Sequence, residues 1–213
     1  DGKKYSDIFA EEGANRLTNL LSKGNCFINL IAIPDILKCI YSVLGESFRL
    51  SSIDMREPLK DKGHQGLHLD WGQRESVDSE FFQCSAFILL DKITINNGAL
   101  RVIPKSHRDL ENIKSSSGYS LKRSKNDDIL LNYVDKNTSK KITGNIGDII
   151  ILNSNTFHGG TNNTVGNRRR VIFINFRNKS LRTQLNQYDY IPKNLHNRFN
   201  EFEKYLIDLY PTP

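Results

Sequence analysis

At 213 residues, with 38% hydrophobic and 25% charged side chains, the chain is sized for one domain with a substantial core. Its longest apolar runs, 87–90 and 149–152, are far too short to span a bilayer, and nothing near Asp1 reads as a signal peptide. The net charge of +6 is scattered, apart from Arg168-Arg169-Arg170, so a solvated basic surface is expected rather than a nucleic-acid face.

In chain order, Ile8, Phe9, Leu17, Leu20 and Leu21 recur at roughly helical spacing and predict a helix over 6–21, stopped by Lys23-Gly24. Cys26, Cys39 and Cys84 are odd in number and lack a C-x-x-C spacing. That argues against a disulfide framework or a zinc site and points to reduced thiols in the cytoplasm. Pro34-Asp35 opens a second helix, with Leu37, Ile40, Tyr41 and Leu44 on one face and Gly45 as its cap. These helices, within 1–46, are expected to support a sheet. From 48 onward short strands are predicted, over 48–56, 67–71, 82–90, 99–103, 149–152 and 171–176, with Asn96-Asn97-Gly98 as the clearest hairpin signal. Residues 106–142 are polar and rich in Lys, Ser and Asn, the composition of a lid-like insertion. After 178 the chain returns to helix, where Leu195, Phe199, Phe202, Leu206 and Leu209 predict a core-packing face. Many short strands preceded by helices suggest a mainly β domain, a helix-supported sandwich or jelly roll with its core in 47–177.

The chemistry concentrates in Gly66-Leu67-His68-Leu69-Asp70-Trp71. In an extended segment His68 and Asp70 face one way while Leu67 and Leu69 face the other. An imidazole and a carboxylate sharing a face make up two-thirds of the 2-His-1-carboxylate set that holds non-haem Fe(II) with open positions. The third donor must come from elsewhere. Gly147-Asp148 feeds an apolar strand that delivers His158, and ten residues on come Arg168-Arg169-Arg170 and another strand. A guanidinium there is suited to clamp a carboxylate with two parallel hydrogen bonds. His64 and His107 are rival ligands, the first in a Lys- and Gly-rich loop, the second without a downstream arginine.

Three blocks together resemble the phytanoyl-CoA dioxygenase and ectoine hydroxylase group of Fe(II)/2-oxoglutarate oxygenases. They are Leu67-His68-Leu69-Asp70-Trp71, the run from Asn97-Gly98-Ala99 to Pro104-Lys105-Ser106-His107, and the segment from Gly147-Asp148 through His158 to Arg169. The resemblance implies a double-stranded β-helix of the jelly-roll, cupin-like kind, with Fe(II) held by His68, Asp70 and His158. It implies 2-oxoglutarate held by Arg169, eleven positions after the distal histidine, with Phe87 and Ser85 lining the co-substrate pocket and Trp71 as a wall for the substrate. Alternation sets Arg169 on the face opposite Arg168 and Arg170. Two departures stand out: Lys105 where the family usually has Gly, and Gly160 where relatives often carry a small hydroxyl residue.

The activity that the resemblance implies is that of a hydroxylase using O2 and 2-oxoglutarate to oxidise a C–H bond of a small molecule, releasing succinate and CO2. A filled Asp70 position argues against halogenation, which needs that site vacant for halide. The alternatives are an oxygenase of the same site acting on nucleic acid or protein, supported only by the basic charge, and an inactive jelly-roll module that binds metal or sugar. A zinc hydrolase could use two histidines and a carboxylate but would not need Arg169. The primary substrate and the oligomeric state stay open.

Overall fold

The computed structural model describes residues 11–70, 78–109, 138–183 and 186–210. Eight strands occur among them: β1 (Ala14–Leu17), β2 (Phe48–Pro58), β3 (Gln83–Leu89), β4 (Leu100–Val102), β5 (Lys140–Ile142), β6 (Ile149–Asn153), β7 (His158–Gly160) and β8 (Val171–Asn178). They form a large sheet in the order β1-β2-β8-β3-β6 and a small sheet in the order β5-β4-β7, every neighbouring pair antiparallel. The protein is thus mainly β with supporting helices.

Period-two alternation gives the large sheet two unlike faces. Ile53, Cys84, Ala86, Ile88, Ile172, Ile174 and Phe176 turn outward into an apolar core with the helices. That core takes Ile28 and Ile31 from α1 (Asn25–Ile31) and Ile36, Ile40 and Leu44 from α2 (Pro34–Leu44). The register of β2 on β8 shifts between Leu50 and Ser52. The extra residue lets Leu50 and Ile53, three apart, both reach the helix side. The inner face runs in rows across the strands: Arg16, Arg56, Val171 and Leu89, then Asp54, Phe173, Phe87 and Ile150, then Ser52, Asn175, Ser85 and Leu152. Phe87, Leu89, Leu152 and Val171 pack there against Ala99 and Leu100, which joins the two sheets face to face.

Several expectations change. The segment predicted as a helix over 6–21 contains β1, an edge strand registered on Met55 to Pro58, followed by a 3-10 turn at Leu20–Ser22; residues 1–10 lie outside the described set. The edge of the sheet overrides the helical spacing because Arg16, opposite Arg56, shares the Glu11 carboxylate with it. In α2 Ile36 takes the buried place expected for Tyr41, which is exposed. Asn96-Asn97-Gly98 does not close a hairpin. The Asn97 side chain accepts from the Thr94 amide and donates to the Lys92 carbonyl, and the chain passes from the large sheet into the small one. The 67–71 strand is reduced to a single bridge at His68, with Trp71 outside the described residues. Of the 106–142 insertion, 110–137 lie outside them too, Ser106–Arg108 form a 3-10 turn and Lys140–Ile142 are β5.

The C-terminal helix is broken into α3 (Gln187–Tyr190), a 3-10 stretch at Lys193–Arg198 and α4 (Glu201–Leu206). Asn200 and Glu203 form a reciprocal capping box that starts α4 afresh. Phe199, Leu206 and Leu209 join the core, whereas Phe202 is exposed. Among the described residues no single helix is long and apolar enough to cross a membrane, and the bent pair α1 and α2 buries its isoleucines against the sheet.

Candidate functional site

β7 brings His158 to the inner side of the small sheet, and the segment before Asp70 lies along its free edge. The His68 amide donates to the His158 carbonyl at 2.9 Å, the His158 amide donates back at 3.0 Å, and the Asp70 amide donates to Ser154 O at 3.1 Å. This approach is close enough to require glycine at 159, where a Cβ would stand 2.7 Å from Gly66 O and 2.8 Å from Gln65 O.

The ligand atoms of His68, Asp70 and His158 then fall within 4.8 Å of one another, the one such group of His, Cys and acidic side chains among the described residues. Each imidazole Nε2 lies 3.6 Å from an Asp70 oxygen, Oδ1 for His68 and Oδ2 for His158. Each Nδ1–H donates to a carbonyl two residues back, His68 to Gly66 at 2.8 Å and His158 to Thr156 at 2.9 Å. Those bonds orient both rings and leave both Nε2 lone pairs converging beside the carboxylate. Burial holds the His158 pKa below the usual histidine value, against the opposing pull of Asp70, so the ring is kept neutral. Two imidazoles and a carboxylate on one side of a cavity are a donor set for a divalent metal with open positions.

The cavity beside them has a volume of about 340 Å³ and takes its lining from both sheets. Arg169 forms part of its wall. Its side chain is only 2% exposed, and its Nε and Nη1 have no hydrogen-bond partner among the described residues. Burial first, and the Arg56 charge second, push its pKa down to about 9 against the pull of Glu11. Its neighbours in sequence are occupied elsewhere: Arg168 lies near Glu57 at the surface, and Arg170 makes two 2.9 Å bonds to Asp91. Arg56 is equally buried but compensated, its Nε and Nη2 donating to Glu11 and Nη2 also to Gly63 O. An orphaned guanidinium beside a metal donor set fits an anionic ligand that reaches both.

Phe87 lines the cavity, its ring edge-on to Phe173 at 4.6 Å. Ser85 points to the same side, but it is fully buried and its hydroxyl donates to Asn175 Oδ1 at 2.7 Å. Asn175 in turn donates to Ser52 Oγ at 2.9 Å, so Ser85 braces Asn175, which lines the cavity, and is not itself in the lining. His107 sits in the 3-10 turn near Phe81, and His64 is exposed; neither joins the metal group. Lys105 has φ +66°, the left-handed conformation that explains the family's usual glycine there.

The cavity also holds Asp54, Arg56, Gln65 and Asn175, which the sequence motifs did not single out. For Asp54, Arg56 and Asn175 a signal existed, since polar residues at every second place in two apolar strands mark a polar inner face. For Gln65 there was none.

A family model for phytanoyl-CoA dioxygenase (PhyH) matches residues 1–171. A curated relative, the probable alpha-ketoglutarate-dependent hypophosphite dioxygenase of Stutzerimonas stutzeri, is 26% identical over 155 residues, covering 70% of this chain and 51% of the relative. The chain therefore spans about half the length of that relative. Among solved structures, HygX from Streptomyces hygroscopicus with nickel and 2-oxoglutarate bound is similar with a TM-score of 0.60, at 16% identity over 81% of this chain and 72% of that one. EctD from S. alaskensis with bound Fe is similar with a TM-score of 0.63, at 20% identity over 79% and 58%. At these identities the structures speak for the fold alone, while the family match covers most of the sequence, and with it this chain belongs to the phytanoyl-CoA dioxygenase (PhyH) family.

Proposed function

We propose that the protein is an Fe(II)- and 2-oxoglutarate-dependent dioxygenase that hydroxylates a C–H bond of a small polar molecule. The observation that carries this reading is one cavity holding both a His-Asp-His donor set and a buried arginine with two unpartnered nitrogens. His68, Asp70 and His158 hold the iron, and Arg169 holds the distal carboxylate of 2-oxoglutarate. Iron and 2-oxoglutarate together supply the oxidising power: O2 gives one oxygen atom to succinate and one to the substrate, and CO2 leaves. The chain's own share is to orient both imidazoles through Nδ1, to place Arg169 in the cavity wall, and to line the cavity with Phe87, Phe173 and Leu100.

In this reading the two facing sheets are the halves of a double-stranded β-helix, and residues 1–213 form a single catalytic domain. The family membership and the similar folds of HygX and EctD support it. The size of the cavity and the polar Asp54, Gln83 and Asn175 in its lining favour a small polar substrate over a lipid or a polymer. The test is O2 consumption and succinate release by the Fe(II)-loaded protein with 2-oxoglutarate. A panel of small polyols, amines and oxyanions, hypophosphite included, would be screened for stimulation. Slow 2-oxoglutarate-dependent turnover, raised by some panel member, supports the proposal; a rate no higher than that of free Fe(II) refutes it.

A further inference from the structure

Gly160 stands where a small hydroxyl residue would otherwise help bind the co-substrate, and another side chain fills that space. A Cβ on Gly160 would come 3.1 Å from Gln65 Oε1, 3.1 Å from Gly63 O and 3.4 Å from Arg56 Nη1. We propose that Gln65 replaces the missing hydroxyl, its amide nitrogen donating to the distal carboxylate of 2-oxoglutarate beside Arg169. The proposal rests on the oxygenase reading given above.

Gln65 is fixed at three points. Its amide N–H donates to Gly160 O at 2.9 Å, its carbonyl accepts from Arg101 Nη2 at 3.0 Å, and its side-chain Oε1 accepts from the Gly160 amide at 3.2 Å. The third bond decides the orientation of the side chain. A backbone N–H needs an acceptor, so the oxygen faces Gly160 and the Nε2 amide must face away from it. No partner for Nε2 occurs among the described residues, and the side chain lines the cavity that Arg169 lines.

A carboxylate has about four lone-pair directions, and one guanidinium edge satisfies two of them. A further donor facing the same cavity therefore has a lone pair left to engage. A neutral amide can do so without adding charge beside Arg169, whose pKa is already pushed down by burial and then by Arg56. A third cation there would increase that repulsion.

The test is calorimetric titration of the Mn(II)-loaded protein with 2-oxoglutarate and with 2-oxobutyrate, which keeps the chelating 2-oxo acid and lacks the distal carboxylate. Gln65→Ala should weaken 2-oxoglutarate about tenfold, the scale of one hydrogen bond to a charged group, and leave 2-oxobutyrate unchanged. Gly160→Ser should also weaken 2-oxoglutarate, although it restores the hydroxyl, because its Cβ displaces Gln65. The double variant Gln65→Ala/Gly160→Ser should bind better than Gly160→Ser alone, since the space is then free. Gln65→Met, close in length and without a donor, repeats the first measurement if the alanine variant does not fold. Equal 2-oxoglutarate affinity in wild type and the Gln65 variants would overturn the proposal, as would an equal loss for both acids. If wild type does not bind 2-oxoglutarate at all, the oxygenase reading fails first.

Discussion

Ile53, Ile174 and Ala86 on the helix side of the large sheet, and Asp54, Phe173 and Phe87 on the cavity side, belong to the same three strands one residue apart. The first set packs into a continuous apolar core with α1 and α2. The second includes a carboxylate whose pKa burial raises, next to a row of hydroxyl and amide groups bonded to one another. On the cavity wall a buried arginine has two nitrogens without partners among the described residues. Stability is thus concentrated on one face, while the other carries polar groups that cost stability until a ligand engages them. Single substitutions should separate the two.

The largest effect belongs to the metal group. His158→Ala should lower Fe(II) affinity by more than about 100-fold, above the scale at which even a ligand's outer partners act, with little change in melting temperature of the metal-free protein; metal titration beside a thermal melt checks both. Arg169→Leu comes next. It should abolish 2-oxoglutarate binding at micromolar concentrations yet stabilise the ligand-free protein at pH 7 by about 1–2 kcal/mol. The sign with pH is set by the depressed pKa of about 9. Between that value and the higher ordinary arginine value the unfolded chain binds the extra proton, so wild-type stability recovers as pH rises. The advantage of the variant should be full below about pH 9 and shrink above it in denaturant titrations.

The helix face should behave in the opposite way. Ile174→Ala, at a side chain with no exposure, should cost about 2–5 kcal/mol and leave 2-oxoglutarate affinity within twofold. Glu11 links the faces to the edge strand. Burial alone would raise its pKa, but Arg56 and Arg16 outweigh that and lower it from 4.5 to about 2. Its contribution is therefore present above pH 4.5 and lost as pH falls towards 2. Glu11→Gln should cost about 2 kcal/mol at neutral pH, allowing for partial exposure, and flatten that acid limb. Lys105→Gly, which relieves a left-handed φ of +66°, should add at most about 1 kcal/mol and change no binding constant.

What was legible in the sequence is what depends on local alternation. His68 and Asp70 share a face because they are two apart, and Arg169 turns inward because Arg168 and Arg170 turn outward. The two-sheet body was legible for the same reason, in short apolar runs separated by turn residues. Where the outcome depended on a distant partner, local pattern misled. Residues 14–17 carry helical spacing but pair with 55–58, because Arg16 and Arg56 converge on Glu11. The break before α4 was present as Asn200 and Glu203 three apart, yet the apolar spacing from 195 to 209 concealed it. The place of Gln65 in the site depends on Gly160, 95 positions away, and no reading of either segment alone connects them.

The most direct test of the two-faced account is an anaerobic titration of the Fe(II)-loaded protein with 2-oxoglutarate, tracking the visible charge-transfer band of the chelate in wild type, His158→Ala and Arg169→Ala. The account predicts a band in wild type, none in His158→Ala, and a band in Arg169→Ala only at about 100-fold more 2-oxoglutarate, the scale of a lost charge-assisted pair. Absence of the band in wild type, or an unshifted titration in Arg169→Ala, would contradict it.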